Sequence, residues 1–172
     1  MEALEAMLTR KSIKKYKPDP VPRELIDQII AAGLNAPSGL NKQSPIIIAV
    51  TNKEIRDKLS KLNAGKDPFF RADPFYGAPV VLVVLADKSA FTYLYDGSLV
   101  MENLQLAAHA LGLGACWIHR AKETFESPEG KEILASLGIV GDYEGIGNCI
   151  VGHAKIIPEQ KPRKENRVYY ID

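Results

Sequence analysis

Two cysteines and one tryptophan among 172 residues leave little material for thiol or metal chemistry. Cys116 and Cys149 both sit in apolar, strand-like runs. They form no C-x-x-C and no metal-ligand spacing, and read as buried, reduced thiols. Net charge is nearly absent as well: 22 Lys and Arg against 21 Asp and Glu leave +1. No overall field therefore favours nucleic acid or an anionic membrane surface. No apolar run is long enough to span a bilayer or to form a signal segment, so a cytoplasmic protein is expected. Nothing repeats at a fixed period, and no segment is of low complexity. No G-x-G-x-x-G follows a strand, so a dinucleotide fold of the Rossmann type is not expected.

What is present is 46% hydrophobic and 25% charged, a balance that fits one α/β domain with a single sizeable core over residues 1–172. The chain is organised around Tyr93 to Trp117. Between Leu99 and Leu111 only Glu102, Asn103, Gln105 and His109 are polar. A surface helix would show one apolar stripe and one wet face. This one must be covered on most sides, either as the core helix of a monomer or by a second copy of the chain. Gly112 and Gly114 are expected to end it, and Ala115 to Ile118 to follow as a short buried strand.

Other elements read from the same rules. Glu2 to Thr9 has helical spacing, and a helix starts at Val21-Pro22 and ends near Gly33. Ile46 to Val50 is a buried strand, Lys53 to Leu62 a polar surface helix, and Ala78 to Leu85 a strand apolar on both faces and so central. Ser127 caps a helix running to Leu137, with Pro128 at its first position and Gly138 past its end. Ile146 to Val151 is the last strand. The tail from Pro158 to Asp172 is polar until Val168-Tyr169-Tyr170-Ile171, and either pairs as an edge strand or reaches a partner.

Three stretches are candidates for function. Arg10 to Lys17 carries five cations and one serine hydroxyl in eight residues. It is either a solvated basic loop or a seat for phosphate, whose oxygens take paired bonds from guanidinium forks. Ala36 to Pro45 is a proline-framed loop holding Ser38, Gly39, Asn41 and Gln43. It is either an ordinary connection or a short rigid wall offering N–H groups, amides and a hydroxyl to a flat polar ring. Asn63 to Gly77 is irregular and aromatic, with Phe69, Phe70, Phe75, Tyr76 and Arg71. It serves either as a wall or lid over a site or as packing for the core.

Taken in this order and at these separations, four segments resemble the nitroreductase family of FMN-dependent oxidoreductases. They are Arg10 to Tyr16, Ala36 to Gln43, Asp96 to Trp117 and Gly152 to Lys164, and the resemblance runs from about Leu4 to Lys164. It implies an α/β fold (an α+β sandwich) with a central mixed sheet flanked by helices, an intertwined homodimer, and FMN in the dimer interface. It implies that Arg10, Lys11, Ser12 and Lys14 hold the phosphate, ribityl chain and pyrimidine edge, with Arg163 completing the phosphate site. Pro37, Ser38, Gly39 and Asn41 of the other protomer would line the isoalloxazine. Trp117, Ile118, His119 and Arg120 would leave their strand beside the ring, and residues 158–172 would form an arm reaching the partner protomer. His119 is there either a proton donor to substrate or a packed ring that narrows the pocket.

The implied activity is transfer of hydride from NADH or NADPH, by way of FMN, to nitroaromatic, quinone or similar small-molecule acceptors in a two-step shuttle. The flavin carries that chemistry, so no side chain is nominated as nucleophile, and no metal is expected. The alternatives are a flavoprotein of this fold with dehalogenase or azoline-oxidase chemistry, and a non-catalytic flavin-binding dimer.

Overall fold

Val80–Asp87 reads VVLVVLAD and is buried along almost its whole length, as only an interior strand can be. The structure, a computed structural model, describes residues 1–65 and 73–172. Its elements in chain order are α1 (Ala3–Thr9), α2 (Arg23–Leu34), β1 (Pro45–Val50), α3 (Lys53–Ala64), β2 (Val80–Asp87), α4 (Tyr93–Ala110), β3 (Gly114–Ile118), α5 (Ala121–Glu126), α6 (Pro128–Ser136) and β4 (Tyr143–Gly152). The strands form one sheet in the order β1-β2-β4-β3, with β2 inside as expected.

Each neighbouring pair in that sheet is antiparallel. The expected mixed sheet therefore differs in detail, and among the described residues the parallel pairing is an isolated bridge between Ser12 and Ala115. The physical reason lies in the connections. No strand is followed by a helical crossover to a parallel neighbour, because α4 returns the chain to β3 at the far edge and β4 then fills the gap.

Because β2 is apolar on both faces, both must be covered. Ile26 and Ile29 of α2 and Val100, Met101, Leu104 and Ala108 of α4 pack on one face against Leu82 and Val84. Leu59 of α3, Phe75, and Ala121 and Phe125 of α5 pack on the other against Val81, Val83 and Leu85. The result is a three-layer sandwich.

Helix α4 runs longer than its apolar core suggests, and Leu111 and Gly112 close it, with φ of +78° at the glycine. Gly114 has a different part from the expected one: it opens β3, where a Cβ would stand 2.8 Å from Ile13. Helix α4 covers the sheet with one side but leaves Leu94, Tyr95 and Leu99 exposed. Leu4, Met7 and Leu8 of α1 are exposed too.

The α6 cap forms as read, with the Gly130 N–H donating to Ser127 Oγ at 3.1 Å. Helix α3 extends to Ala64, into the stretch expected to be irregular. Phe69, Phe70 and Arg71 of that stretch lie outside the described residues. The tail from Pro158 onward has no helix or strand and is exposed throughout.

Helices α2 and α4 touch through Gly33, where a Cβ would lie 2.6 Å from Leu104 Cδ2. Gly33→Val should therefore overpack the core and lower stability by about 1–3 kcal/mol. Urea denaturation should show an earlier midpoint at unchanged slope.

Candidate functional site

The basic run is not a free loop. Ile13 and Tyr16 are buried, while Ser12, Lys14 and Lys15 are exposed. Backbone bonds fix the run from several sides. Ile13 N–H donates to Ala115 O at 3.0 Å, Lys17 N–H to His153 O at 2.8 Å, and Lys155 N–H to Lys15 O at 2.9 Å. The Tyr16 hydroxyl donates to Ile13 O at 2.8 Å, and burial holds that phenol well above its ordinary pKa. Two apolar side chains thus hold the strip against the sheet, with its hydrophilic groups turned to solvent.

Arg10 reaches α4 at Gln105 Oε1 (3.4 Å) and Glu102 Oε1 (3.6 Å). Gln105 is itself buried and donates from Nε2 to Met101 O at 3.2 Å. Cys116 follows Ala115, the bridge partner of Ser12, in β3. Burial pushes that thiol up, while a hydrogen bond with Ser12 and the charges of Lys14 and Arg10 draw it partly back. Both cysteines are free and buried, as read. Lys14 Nζ lies 5.7 Å from the centre of the Tyr76 ring.

The turn carrying Tyr76 is held by Asp73, which accepts from Ser60 Oγ (2.6 Å), Phe75 N–H (2.9 Å), Gly77 N–H (2.7 Å) and Arg56 Nη2. Burial opposes the charge of Asp73, but these donors together keep its carboxyl below the usual range. Arg56 is buried and donates from Nε to Ala78 O at 3.1 Å.

The proline-framed loop is also built, and at the opposite end of α4. Asp96, in the first turn of that helix, is buried. Its Oδ1 accepts from Gly39 N–H at 3.0 Å, and its Oδ2 from Ser44 Oγ and Thr92 Oγ1, each at 3.0 Å. Gln43 N–H donates to Ser38 Oγ at 2.9 Å, and Gln43 Nε2 to Asn41 Oδ1 at 3.2 Å. Leu40, Asn41 and Gln43 all take the left-handed conformation, with φ near +50°. Pro37 and Asn41 are exposed, and Ser38 and Gly39 half-buried.

From Asp96 to Gln105, α4 rises about 13 Å. The strip and the loop in one protomer are therefore held at separate ends of one helix. The exit of β3 is a third part. Trp117 packs over Gly147, where a Cβ would stand 2.5 Å from Nε1 and 3.0 Å from Met101 Cε. Ile118 pairs with Asn148. His119 is exposed, and its carbonyl accepts from Asn63 Nδ2 at 2.8 Å.

Arg120 is left-handed and begins α5. Its Nη1 donates to Ala64 O at 3.1 Å, at the C-terminal end of α3 where the helix dipole favours a cation. Arg163 is exposed in the tail, where Gln160 Nε2 donates to Leu8 O at 2.9 Å. Sequence reasoning missed Asp96, Gln105, Asn63 and the Arg56–Asp73 pair, since their roles depend on which distant loop each one meets.

Lys11 faces a cavity of about 390 Å³ shared with Glu5, Thr9, His109, Ala154 and Ile157. His109 Nε2 lies 2.8 Å from Thr9 Oγ1. That hydroxyl already donates to Glu5 O at 2.6 Å, so the imidazole is the donor in the contact. Burial, and then the nearby Arg10, lower the His109 pKa from 6.5, with Lys11 acting the same way and Glu5 opposing. As pH falls, the unfolded chain therefore binds this proton before the folded one does. The stability contributed by neutral His109 is complete above the unfolded pKa and is lost as pH falls through the folded one. Denaturation midpoints measured at about pH 7.5 and about pH 5.5 should differ, and His109→Gln should narrow the gap.

The donors fit an anion carrying a polar chain and a flat ring: a guanidinium, two ammoniums and a hydroxyl on one fixed strip, then amides and N–H groups on a rigid loop. A family model described as the Nitroreductase family matches residues 7–153. An FMN reductase [NAD(P)H] of Bacillus subtilis is 28% identical over 179 residues, covering 94% of this chain and 70% of that protein. A candidate NADH dehydrogenase/NAD(P)H nitroreductase of Methanothermobacter thermautotrophicus is 36% identical over 126 residues, which is 68% of this chain and 60% of that one. The chain thus spans less than two thirds of the archaeal protein. A nitroreductase from Bacteroides fragilis, solved with bound FMN, superposes with a TM-score of 0.91 at 25% identity, covering 100% of both chains. No helix among the described residues is long and apolar enough to cross a membrane. The matched model takes in the basic strip, the loop, the organising helix and strands β1 to β4, and the chain belongs to the nitroreductase family.

Proposed function

We propose that the protein is an FMN-dependent oxidoreductase that passes hydride from NADH or NADPH to nitroaromatic, quinone or similar small acceptors, each visiting one pocket in turn. The observation that carries this reading is the anchored strip. Cations that would otherwise be solvated are held in one place beside β3, together with a hydroxyl. FMN bound there would supply the hydride chemistry, leaving the protein to position it and keep water away.

In this reading Arg10 and Ser12 hold the phosphate and ribityl chain, with Lys11 reaching the phosphate from its cavity and Arg163 from the tail. Lys14 lies at the pyrimidine edge. Trp117, Ile118 and His119 form the wall at the strand exit, where Arg120 contributes its backbone and commits its guanidinium to α3. Pro37, Ser38, Gly39 and Asn41 meet the ring from the second protomer.

A homodimer is part of the proposal for two reasons. The strip and the loop sit at opposite ends of α4, so two copies bring a strip and a loop to one ring more readily than one copy does. The exposed Leu94, Tyr95 and Leu99 of α4, Leu4, Met7 and Leu8 of α1, and Val168 to Ile171 of the tail form apolar surface that a second copy would cover. Residues 158–172 are proposed as an arm lying across that copy.

The visible spectrum of the purified protein tests the cofactor and the donor together. Flavin bands that bleach with anaerobic NADH or NADPH are expected. Bands that persist would leave a flavin-binding dimer without this activity, and protein that takes up no FMN would overturn the reading. Arg10→Ala should weaken FMN binding by ~1.5–3 kcal/mol, roughly ten- to hundredfold, because it removes charge-assisted bonds to the phosphate. Fluorescence titration of apoprotein with FMN checks it, and an unchanged dissociation constant would remove Arg10 from the site.

A further inference from the structure

We propose that Asp96 is a positioning residue for the flavin, acting through the Pro37–Pro45 loop and touching neither cofactor nor substrate. The inference rests on the reading that this loop faces the ring of a bound FMN.

Its basis is the bonding around one carboxylate. Asp96 is buried, and each of its oxygens is engaged: Oδ1 by the Gly39 N–H, Oδ2 by the hydroxyls of Ser44 and Thr92. Gly39 and Ser44 lie near the two ends of the loop, so the carboxylate clamps it at both feet. Thr92 and Asp96 belong to the start of α4, whose position the core decides. The clamp therefore refers the loop to a helix packed on the core of the sheet.

Between the feet, the chain runs through three non-glycine residues at positive φ, Leu40, Asn41 and Gln43. Such conformations persist only where the surroundings over-determine them. Thr92 adds a steric constraint, since a Cβ on Gly39 would collide with its Oγ1 and Cγ2. The loop is thus pulled toward α4 by Asp96 and kept by Gly39 at the one distance Thr92 permits. A wall against a flat ring needs this kind of fixed height.

Without the carboxylate, Gly39 N–H and two hydroxyls lose their acceptor, and the loop is free to leave its strained conformation. Asparagine would preserve most of the clamp. Its Oδ1 can accept from Gly39, and the Ser44 and Thr92 hydroxyls can rotate to accept from Nδ2.

The test uses full-length Asp96→Ala and Asp96→Asn, each titrated with FMN by fluorescence quenching and examined by visible circular dichroism of the bound flavin. Asp96→Ala should raise the dissociation constant about tenfold, the scale of one or two lost hydrogen bonds. It should also alter the flavin dichroism, which reports ring environment and does not follow from lowered stability alone. Asp96→Asn should stay within about threefold of the parent and keep its dichroism.

Should Asp96→Ala fail to fold, Gly39→Ala displaces the same loop while leaving the carboxylate in place. It should weaken FMN binding, and adding Thr92→Ala, which removes the two closest colliding atoms at the cost of one clamp bond, should recover part of the loss. Wild-type FMN affinity and dichroism in Asp96→Ala overturn the inference, as does a Gly39→Ala variant indistinguishable from the parent. Parent protein that binds no FMN instead overturns the flavin reading itself, so the two failures are distinct.

Discussion

The candidate site depends on the anchoring of residues 12–17 along the sheet. A run of five cations repels itself, and in isolation would stay solvated. Here Ile13 fits over Gly114 and Tyr16 over Gly152, while backbone bonds tie the run to Ala115, His153 and Lys155. Holding each residue in one conformation costs roughly 1–2 kcal/mol of entropy, and this is met during folding through apolar contacts beneath the strip. An anion arriving later finds the donors already placed and does not bear that cost again. Glycine in β3 and β4 is thus part of the cation geometry, because a side chain at Gly114 or Gly152 would lift the strip from the sheet.

Helix α4 connects this strip with the second half of the site. Its Asp96 end clamps the proline-framed loop, and its Gln105 end meets Arg10. One rigid element therefore sets the distance between the loop and the strip within a protomer. The same helix packs its buried side on the sheet and presents Leu94, Tyr95 and Leu99 outward. Its near-uniform apolarity reflects two separate demands, a core on one side and an unpartnered surface on another. That is why a hydrophobic pattern alone did not decide between a monomer's core helix and a dimer's.

Much of this fold was readable in the sequence because its signals were local. The run VVLVVL placed β2 inside the sheet, Ser127-Pro128 with Gly138 framed α6, and Gly112 ended α4. Other features were hidden because they are relations between distant residues. Helix α5 has one short buried face in Ala121, Thr124 and Phe125, and it begins at a left-handed Arg120 that no propensity would suggest. The sheet's antiparallel pairing is decided by where α4 delivers β3, and no strand carries that information. Asp96 was legible only as the start of the segment running to Trp117, and its clamp becomes visible only when Gly39 and Ser44 are brought to it. The site followed the same division. Its cations and its loop were visible as composition, whereas the residues that hold them, Gln105, Asn63, Arg56 and Asp73, were visible only as contacts.

The near-neutral charge of the whole chain gives local placement its weight. At physiological ionic strength an exposed charge is screened over about 8 Å. A net charge of +1 contributes no useful long-range attraction for an anionic cofactor. In the proposed function, the affinity of the strip for phosphate comes from cations within one screening length of it, which are those the sheet has fixed. Glu102, 3.6 Å from Arg10, belongs to the same neighbourhood. Its carboxylate orients the guanidinium and also offsets part of its field, so a lone anion gains less there than a ligand that also engages Ser12 and Lys14. In the same proposal, selectivity for a phosphate joined to a polar chain and a ring follows from spacing, with no excess of charge required.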